Sequence, residues 1–349
     1  MRAIRLPWWS YVSHAGRDVA GADLAVHKAL RWLALVASIG MCLVLQQGTL
    51  VTNSGSAAGC GNTWPLCHGK ILPEFSGVGG AATAIEFSHR AAVPVESTLI
   101  ILLAVGILWS WRHRREALVL APAMIFFLFL QAVLGAMAVA WPTSPEVLAA
   151  HFGISLLAFA SIVLTMAFVW EVGAAEAIRD RPLSNGIRWA VRGLLIYTYI
   201  VVYLGAYVRH VGASLACVDW PLCNGQIVPP LVTGVTAQFS HRVGAGLLVL
   251  FIAGVFAALW RIRTERPDLY RAGAACVVLV ILQALSGALV VETRVAVAST
   301  LLHAFLVSLL FVVEAYMWLH TIGLPSGARS RSAIAGRPAN QREPRTARA

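Results

Sequence analysis

The sequence predicts an all-α integral membrane protein whose eight transmembrane helices form two duplicated four-helix bundles. Of its 349 residues, 58% are hydrophobic and only 12% are charged, whereas about a quarter of the residues in a soluble domain carry a charge. The apolar residues form long uncharged blocks such as Leu118–Ala140 and Val147–Trp170, and roughly 20 such residues span a bilayer as a helix. This composition excludes a disordered chain, a soluble nucleic-acid-binding protein and a disulfide-rich mini-protein.

Eight apolar segments divide the chain into two halves of four spans between two polar ends. The first 28 residues contain no apolar core long enough for a signal peptide, so we expect a cytoplasmic arm over 1–28. The first half covers 29–172, the second covers 173–322, and the basic tail 323–349 is expected to be disordered. The spans are expected at about residues 32–51, 91–111, 118–140, 147–170, 189–208, 243–260, 272–291 and 295–319.

Basic residues are concentrated on one side of the predicted membrane. All but five of the 27 Lys and Arg residues lie in or next to the N-terminal arm, the loops after spans two, four and six, and the C-terminal tail. Because basic loops stay in the cytoplasm, we expect a plasma-membrane protein with both termini cytoplasmic. The net charge of +11 is then a topology signal, and we expect no nucleic-acid partner. The five exceptions are Lys70, Arg90, Arg209, Arg242 and Arg294.

The chain contains an internal duplication. The segment Trp64–Cys67 recurs as Trp220–Cys223, and Phe87–Arg90 recurs as Phe239–Arg242. The offset is 156 residues at Trp64 and 152 from His89 onward, which predicts a short deletion in the second outer loop. Since four spans separate equivalent positions, the halves have parallel topology and should pack about an axis along the membrane normal.

Four histidines occupy duplicated positions near the predicted outer surface. His89 and His241 stand at the outer ends of spans two and six, and His151 and His303 follow 62 residues later, near the outer ends of spans four and eight. An ionisable residue in a span is a functional candidate, although any single one can serve as a helix cap or hydrogen-bonding group. Two imidazoles facing each other across a bundle suit a haem iron. Zinc normally takes four ligands, and each half offers two at this depth.

The duplication fails at one position that can carry proton chemistry. Glu86 stands three residues before His89 and shares its helix face, whereas Gln238 takes this place before His241. Glutamine keeps the shape of the side chain and lacks its ionisable proton. We therefore predict that Glu86 is catalytic in the first half and that the second half only holds a cofactor. The alternative is an interfacial carboxylate paired with Lys70 or Arg90.

Arg90 and Arg242 directly follow the outer histidines at duplicated positions. Their guanidinium groups would lie near the membrane surface, where they can pair with the propionates of a haem. The alternative is an arginine that only extends its charged group to the interface. Both are candidate cofactor-binding residues.

Two pairs of cysteines lie in the predicted outer loops, Cys60 with Cys67 and Cys217 with Cys223. Both pairs face the oxidising side of the membrane, so we expect a disulfide within each loop. Closing such short loops would stabilise the fold by roughly 2.5 kcal/mol. A redox-active pair is the alternative to this structural role.

Together these features resemble the haem A synthase family. The resemblance rests on the duplicated four-helix halves, the four histidines, the Glu86-x-x-His89 motif and the paired loop cysteines, and it covers about residues 30–320. Cysteine spacings of seven and six residues are similar to the bacterial branch that keeps both pairs. The resemblance implies an oxidoreductase that converts a methyl group of haem O into a formyl group, by successive hydroxylations and loss of water, to give haem A for terminal oxidases.

The resemblance also implies a role for each duplicated residue. His89 and His151 would be axial ligands of the substrate haem, His241 and His303 would ligate a haem b, and Glu86 would be the essential carboxylate. The implied partners are haem O and haem A, membrane lipid and an unidentified electron donor, with the haem O-forming farnesyltransferase and a second copy of the chain as further candidates. The implied outer-loop disulfides are Cys60–Cys67 and Cys217–Cys223.

Two other functions account for part of the sequence. A non-catalytic di-haem membrane cytochrome b, an electron carrier, explains the four histidines and the basic inner face. It leaves the cysteine pairs unexplained, as well as the difference between Glu86 and Gln238. A duplicated transporter fits the parallel repeats, but it does not explain paired histidines at the membrane surface.

Overall fold

The computed structural model describes residues 21–140, 144–172 and 181–322. These residues form eight helices, all long and apolar enough to cross a membrane, which confirms the predicted fold class. The predicted arm up to residue 20 and the basic tail lie outside the described residues. The helices are α1 (Gly21–Asn53), α2 (Gly80–Trp111), α3 (Arg115–Ala140), α4 (Pro145–Glu171), α5 (Asn185–His210), α6 (Thr233–Arg261), α7 (Pro267–Glu292) and α8 (Val297–Thr321).

Three helices begin well before the predicted spans. α2 starts at Gly80 instead of near residue 91, α6 at Thr233 instead of near 243, and α1 at Gly21, inside the predicted arm. The added turns of α2 and α6 contain polar residues that lower the local hydropathy, but the helices continue because these side chains find partners within the protein. His89 and His241 therefore lie more than two turns inside their helices and not at the helix ends.

Serine caps fix the start of α4 and α5. Ser144 Oγ accepts a hydrogen bond from the backbone N–H of Val147 at 3.4 Å, and Pro145 occupies the first turn of α4. Ser184 caps α5 in the same way. Serine satisfies free N–H groups at a helix start, and proline fits the backbone angles of the first turn. This start places His151 on the second turn of α4.

Each half forms a closed ring of four helices. α1 and α3 both pack on α2 and α4, and α5 and α7 both pack on α6 and α8. The halves meet where α4 packs on α5 and α8, and where α1 packs on α8. Exchanging the halves leaves this set of contacts unchanged, since the α1–α8 and α5–α4 pairs are equivalent. Parallel repeats related by an axis along the membrane normal have this arrangement.

The helices between the two rings are the most buried. In the most apolar window of α4, 56% of the residues are buried, against 22% in α3 and in α7. Large apolar side chains on the outer helices, such as Phe129 and Leu250, are exposed. Exposed apolar surface of this extent indicates contact with lipid or protein. The duplicated histidines therefore lie on helices that share a packed interior, and the outside of the bundle is apolar.

Two loops lead into the first turns of α2 and α6, the helices that carry His89 and His241. The first connects α1 to α2 over 54–79, and the second connects α5 to α6 over 211–232. Disulfide bonds join Cys60 to Cys67 and Cys217 to Cys223, so both predicted pairings are present. The second loop is the shorter one, which agrees with the predicted deletion.

Candidate functional site

Glu86 attaches the first disulfide loop to the bundle. Its Oε2 accepts a hydrogen bond from the backbone N–H of Cys60 at 2.8 Å, and its Oε1 lies 2.5 Å from Arg90 Nη2. Glu86 is only 4% exposed, so this is a buried ion pair, and removal of one partner would leave an uncompensated charge. Lys70 pairs instead with Glu74 on the surface. The carboxylate thus has the arginine partner that the sequence allowed, in a buried position that a simple interfacial residue would not occupy.

Gln238 makes the same loop contact with an amide. Its Oε1 accepts a hydrogen bond from the backbone N–H of Cys217 at 2.5 Å, and its Nε2 donates to Ser214 O at 2.8 Å. Arg242 has no carboxylate at this position and donates through Nη2 to Cys217 O at 3.1 Å. Holding the loop is therefore common to both halves, whereas an ionisable group in this place belongs to the first half alone.

The two arginines clamp equivalent loop carbonyls. Arg90 Nη1 donates to Thr63 O at 2.6 Å and Leu66 O at 3.0 Å. Arg242 Nη1 donates to the corresponding carbonyls, Asp219 O at 2.8 Å and Leu222 O at 2.5 Å. A guanidinium group has five N–H donors, so Arg90 and Arg242 each keep N–H groups that these contacts do not use. A contact with a haem propionate stays a prediction for both residues.

Internal hydrogen bonds also close the second loop. The Asp219 carboxylate accepts from the backbone N–H groups of Gly225 at 2.7 Å and Asn224 at 2.6 Å. The bond from Gly225 is the main cause that lowers the pKa of Asp219. In the first loop Thr63 Oγ1 takes the corresponding place and accepts from Gly69 N at 3.4 Å. Each loop is a hydrogen-bonded unit that can hold Glu86 or Gln238 in a fixed position.

Each duplicated histidine lies against a glycine of the preceding helix. At three of them an added Cβ atom would come within 2.7–3.3 Å of the imidazole Cε1, so the missing side chain makes room for the ring, whereas at Gly135 the distance would be an ordinary contact of 3.8 Å. The glycines are themselves repeat equivalents, and two of them lie in the repeated Gln-x-x-x-Gly-Ala motif of α3 and α7. The repeated glycines were visible in the sequence, but their contact with the imidazole rings was not predicted from it. The pairs are Gly48 with His89, Gly135 with His151, Gly205 with His241 and Gly287 with His303.

The imidazoles are arranged as two pairs. His89 and His151 are close enough to interact electrostatically, as are His241 and His303. All four rings are half-buried, so part of each faces open space. Within the described ranges, His89 Nδ1 and His151 Nδ1 are buried without a hydrogen bond. Unpartnered buried nitrogen atoms are costly, and a neutral imidazole is a common metal ligand.

The partners of the second pair differ from those of the first. His241 Nδ1 lies 3.1 Å from Val201 O, and His303 Nδ1 lies 2.9 Å from Ser286 Oγ. Val44, the repeat counterpart of Val201, presents its carbonyl to His89 without reaching hydrogen-bond geometry. The second pair is thus held more fully than the first.

Two other histidines, His320 and His68, hold parts of the fold together. His320 lies at the opposite end of the bundle, where its Nδ1 is 2.8 Å from Asp268 Oδ2 and its Nε2 is 3.0 Å from Glu171 Oε2. These contacts connect α4 of the first half to α7 and α8 of the second. His68 lies in the first loop, with Nε2 2.8 Å from Gly59 O. Among the described residues, no group of three or more His, Cys, Asp and Glu is placed to hold a metal ion.

Comparison with known proteins places this architecture in a family. A family model described as COX15-CtaA, cytochrome oxidase assembly protein, matches residues 78–314, which include Glu86 and all four duplicated histidines. The chain is 41% identical to heme A synthase of Shouchella clausii (strain KSM-K16) over 84% of its own length and 97% of that protein. It is 37% identical to heme A synthase of Geobacillus kaustophilus (strain HTA426), over 90% and 99% of the two chains. The chain belongs to the COX15-CtaA family of cytochrome oxidase assembly proteins.

Proposed function

We propose that the protein is a haem A synthase, a membrane enzyme that oxidises haem O to haem A. The observation that carries this proposal is the asymmetric duplication. Both halves hold a histidine pair against two glycines, but only the first has a buried carboxylate three residues before the outer histidine. Relatives named heme A synthase, similar over nearly their whole length, support the same function.

The substrate haem O would lie in the first half, between His89 and His151. The two residues are half-buried and interact with each other, which supports a haem held between two imidazoles. The isoprenoid tail of haem O would extend between the apolar helices into lipid, which favours it over water.

A resident haem b would lie in the second half, between His241 and His303. The two rings interact with each other, and each packs against a glycine of the preceding helix, Gly205 or Gly287. A haem b bound here would supply electron transfer to the substrate site. His241 and His303 would hold it, and Gln238 adds no proton-transfer group.

Glu86 would perform the proton chemistry of the reaction. In the last step of the conversion, a methyl carbon that has been hydroxylated twice loses water: one hydroxyl gives up its proton and becomes the formyl oxygen, and the other hydroxyl takes up a proton and leaves as water. A carboxylate one helical turn from His89 can accept such a proton or stabilise positive charge at the reacting carbon. Cys60 and Arg90 would keep both oxygen atoms of Glu86 in a fixed position.

The proposed topology places the reaction near the outer surface of the plasma membrane. Both termini and the basic loops would be cytoplasmic, as their charge favours, and the disulfide loops would face the oxidising side. The electron donor and any farnesyltransferase contact would then use surfaces away from the two loops.

The pigment of the purified full-length protein tests the function. The protein is produced in cells that make haem O and lack their own synthase, and the extracted haems are separated by chromatography. Haem B together with haem O or haem A, and haem A in the membranes, is the expected result. Haem B alone would indicate the electron carrier, and no haem would indicate the transporter. Cells with the empty vector are the control for background haem A.

A further inference from the structure

The hydrogen-bond partners of the imidazole rings of His151 and His303 differ between the halves. His303 Nδ1 lies 2.9 Å from the Ser286 hydroxyl, whereas His151 Nδ1 is buried without a hydrogen bond in the described part of the chain. The counterpart of Ser286 is Leu134, because the repeat offset is 152 residues in this region. A hydrogen-bonding group is therefore present beside one ligand histidine and absent beside the other.

The direction of the Ser286 hydrogen bond follows from its second partner. Ser286 Oγ donates its only hydrogen to Gln283 O at 2.9 Å, so its lone pairs accept the N–H of His303. An imidazole that carries its proton on Nδ1 has an unprotonated Nε2, the nitrogen that binds a metal. In the second half the amide Nε2 of Gln283 lies 3.2 Å from both ring nitrogen atoms of His303, so it must turn away from the ring Nε2 when a metal binds there. Ser286 is only 3% exposed, so water does not compete for this bond.

The imidazole of His241, the other candidate ligand of the second half, also carries its proton on Nδ1. His241 Nδ1 lies 3.1 Å from Val201 O, and a carbonyl oxygen can only accept, so Nδ1 again carries the proton. In the first half, Gln131 occupies the place of Gln283 but donates to the backbone carbonyl of His151 at 2.9 Å. A hydrogen bond thus fixes the backbone carbonyl of His151, whereas its ring nitrogen Nδ1 has no such bond in the described residues.

We propose that Ser286 is a positioning residue that locks His303 for permanent cofactor binding, and that Leu134 leaves His151 able to release its ligand. This inference rests on the proposed function. An enzyme that acts on a haem must exchange substrate for product at one site and keep its cofactor at the other. Partners of metal-binding histidines typically change metal affinity by about 10–100-fold, which is enough to separate a retained haem from an exchanging one.

Haem release from the detergent-solubilised holoenzyme tests the role of Ser286. Excess apomyoglobin captures released haem, and the rate for haem b is compared among variants. Ser286→Ala should lose haem b about tenfold faster or more, whereas Ser286→Thr should behave like the unaltered protein. Ser308→Ala is the matched control, because the hydroxyl of this buried serine of α8 donates to Ala304 O on its own helix.

The midpoint potential of haem b separates positioning from simple packing. The hydrogen-bond acceptor at Nδ1 makes the ligating imidazole more basic, so its loss in Ser286→Ala should raise the potential, while Ser308→Ala should leave it unchanged. An unaltered release rate and potential in Ser286→Ala, with haem b present in the unaltered protein, would overturn the inference alone. Unaltered protein without haem b would contradict the proposed function and this inference with it.

The reciprocal change tests the first half. Leu134→Ser supplies the missing hydroxyl beside His151, and Leu134→Ala controls for lost volume. Protein from cells that make haem O should retain several-fold more haem O or haem A in Leu134→Ser than in Leu134→Ala. Equal retention in these two variants would overturn the exchange role of His151. If Ser286→Ala does not fold, the comparison of the two Leu134 variants still tests whether a hydroxyl beside the ligand histidine controls haem retention.

Discussion

The Glu86 carboxylate accepts a hydrogen bond from the backbone N–H of Cys60 at 2.8 Å. The candidate catalytic group is thereby connected to a disulfide-closed loop 26 residues earlier in the chain. The loop and the reactive group are one mechanical unit, so changes in the loop should affect turnover before they affect the haem b site in the other half.

Loss of the first disulfide should lower activity selectively. In a Cys60→Ser, Cys67→Ser double variant the loop becomes free to move, and Glu86 loses its fixed partner. We expect lower haem A formation and a less stable protein, by roughly 2–5 kcal/mol, with haem b content unchanged. Haem A in membranes and thermal unfolding are measured together. Full activity in this variant would show that the loop does not position Glu86.

A side chain at Gly205 should exclude the second haem. A Cβ atom there would lie 2.7 Å from Cε1 of His241, closer than a van der Waals contact, so the ring must move. Gly205→Ala should therefore reduce haem b per protein, as measured by absorption spectroscopy. Gly254→Ala in α6 is the control, since a Cβ atom at Gly254 meets nothing within 4 Å. Similar haem b content in both variants would argue against the glycine's role.

The histidine pairs should be separable by mutation. His241→Ala or His303→Ala is expected to remove haem b, because each takes away one of the two proposed axial ligands in the second half. His89→Ala and His151→Ala should retain haem b and lose the substrate haem. Reduced-minus-oxidised spectra of the four purified variants provide the measurement. Normal haem b in both second-half variants would refute this assignment.

The sequence predicted the number of helices and missed several of their ends. Long uncharged blocks identify spans directly, because lipid requires them. Gly80–Arg90 escaped this criterion since Glu86 and Arg90 make it polar. The ion pair between these residues and their hydrogen bonds to the first loop allow this polar stretch to stay helical inside the protein. A hydropathy pattern holds no information about such partners.

The candidate site was predictable where the repeat marked a reactive side chain. The four histidines and the difference between Glu86 and Gln238 stand out when the halves are aligned. Gly205 escaped notice because a glycine contributes only space, and space has meaning only when the neighbouring ring is known. The role of Ser286 escaped notice for a similar reason, since its distance from His303 depends on how α7 packs on α8.

The activity of the Glu86→Gln variant tests whether the Glu86 carboxylate takes part in the reaction. Glutamine should keep the hydrogen bond from Cys60, as Gln238 keeps the one from Cys217, so the loop and both haem sites should survive. What disappears is the group that can take up a proton, and haem A formation should fall on the order of a hundredfold or more. Glu74→Gln is the control, because this exposed carboxylate pairs with Lys70 on the surface, and it should leave haem A formation nearly unchanged.

The measurement is haem A formation in cells that make haem O, with the haem content of the purified protein determined in parallel. If Glu86 is catalytic, Glu86→Gln should form almost no haem A while both haem sites stay occupied. Haem A at the level of the unaltered protein would contradict a catalytic role for Glu86. Low activity with an empty first site would contradict it equally, because Glu86 would then serve to bind haem O and not to transform it.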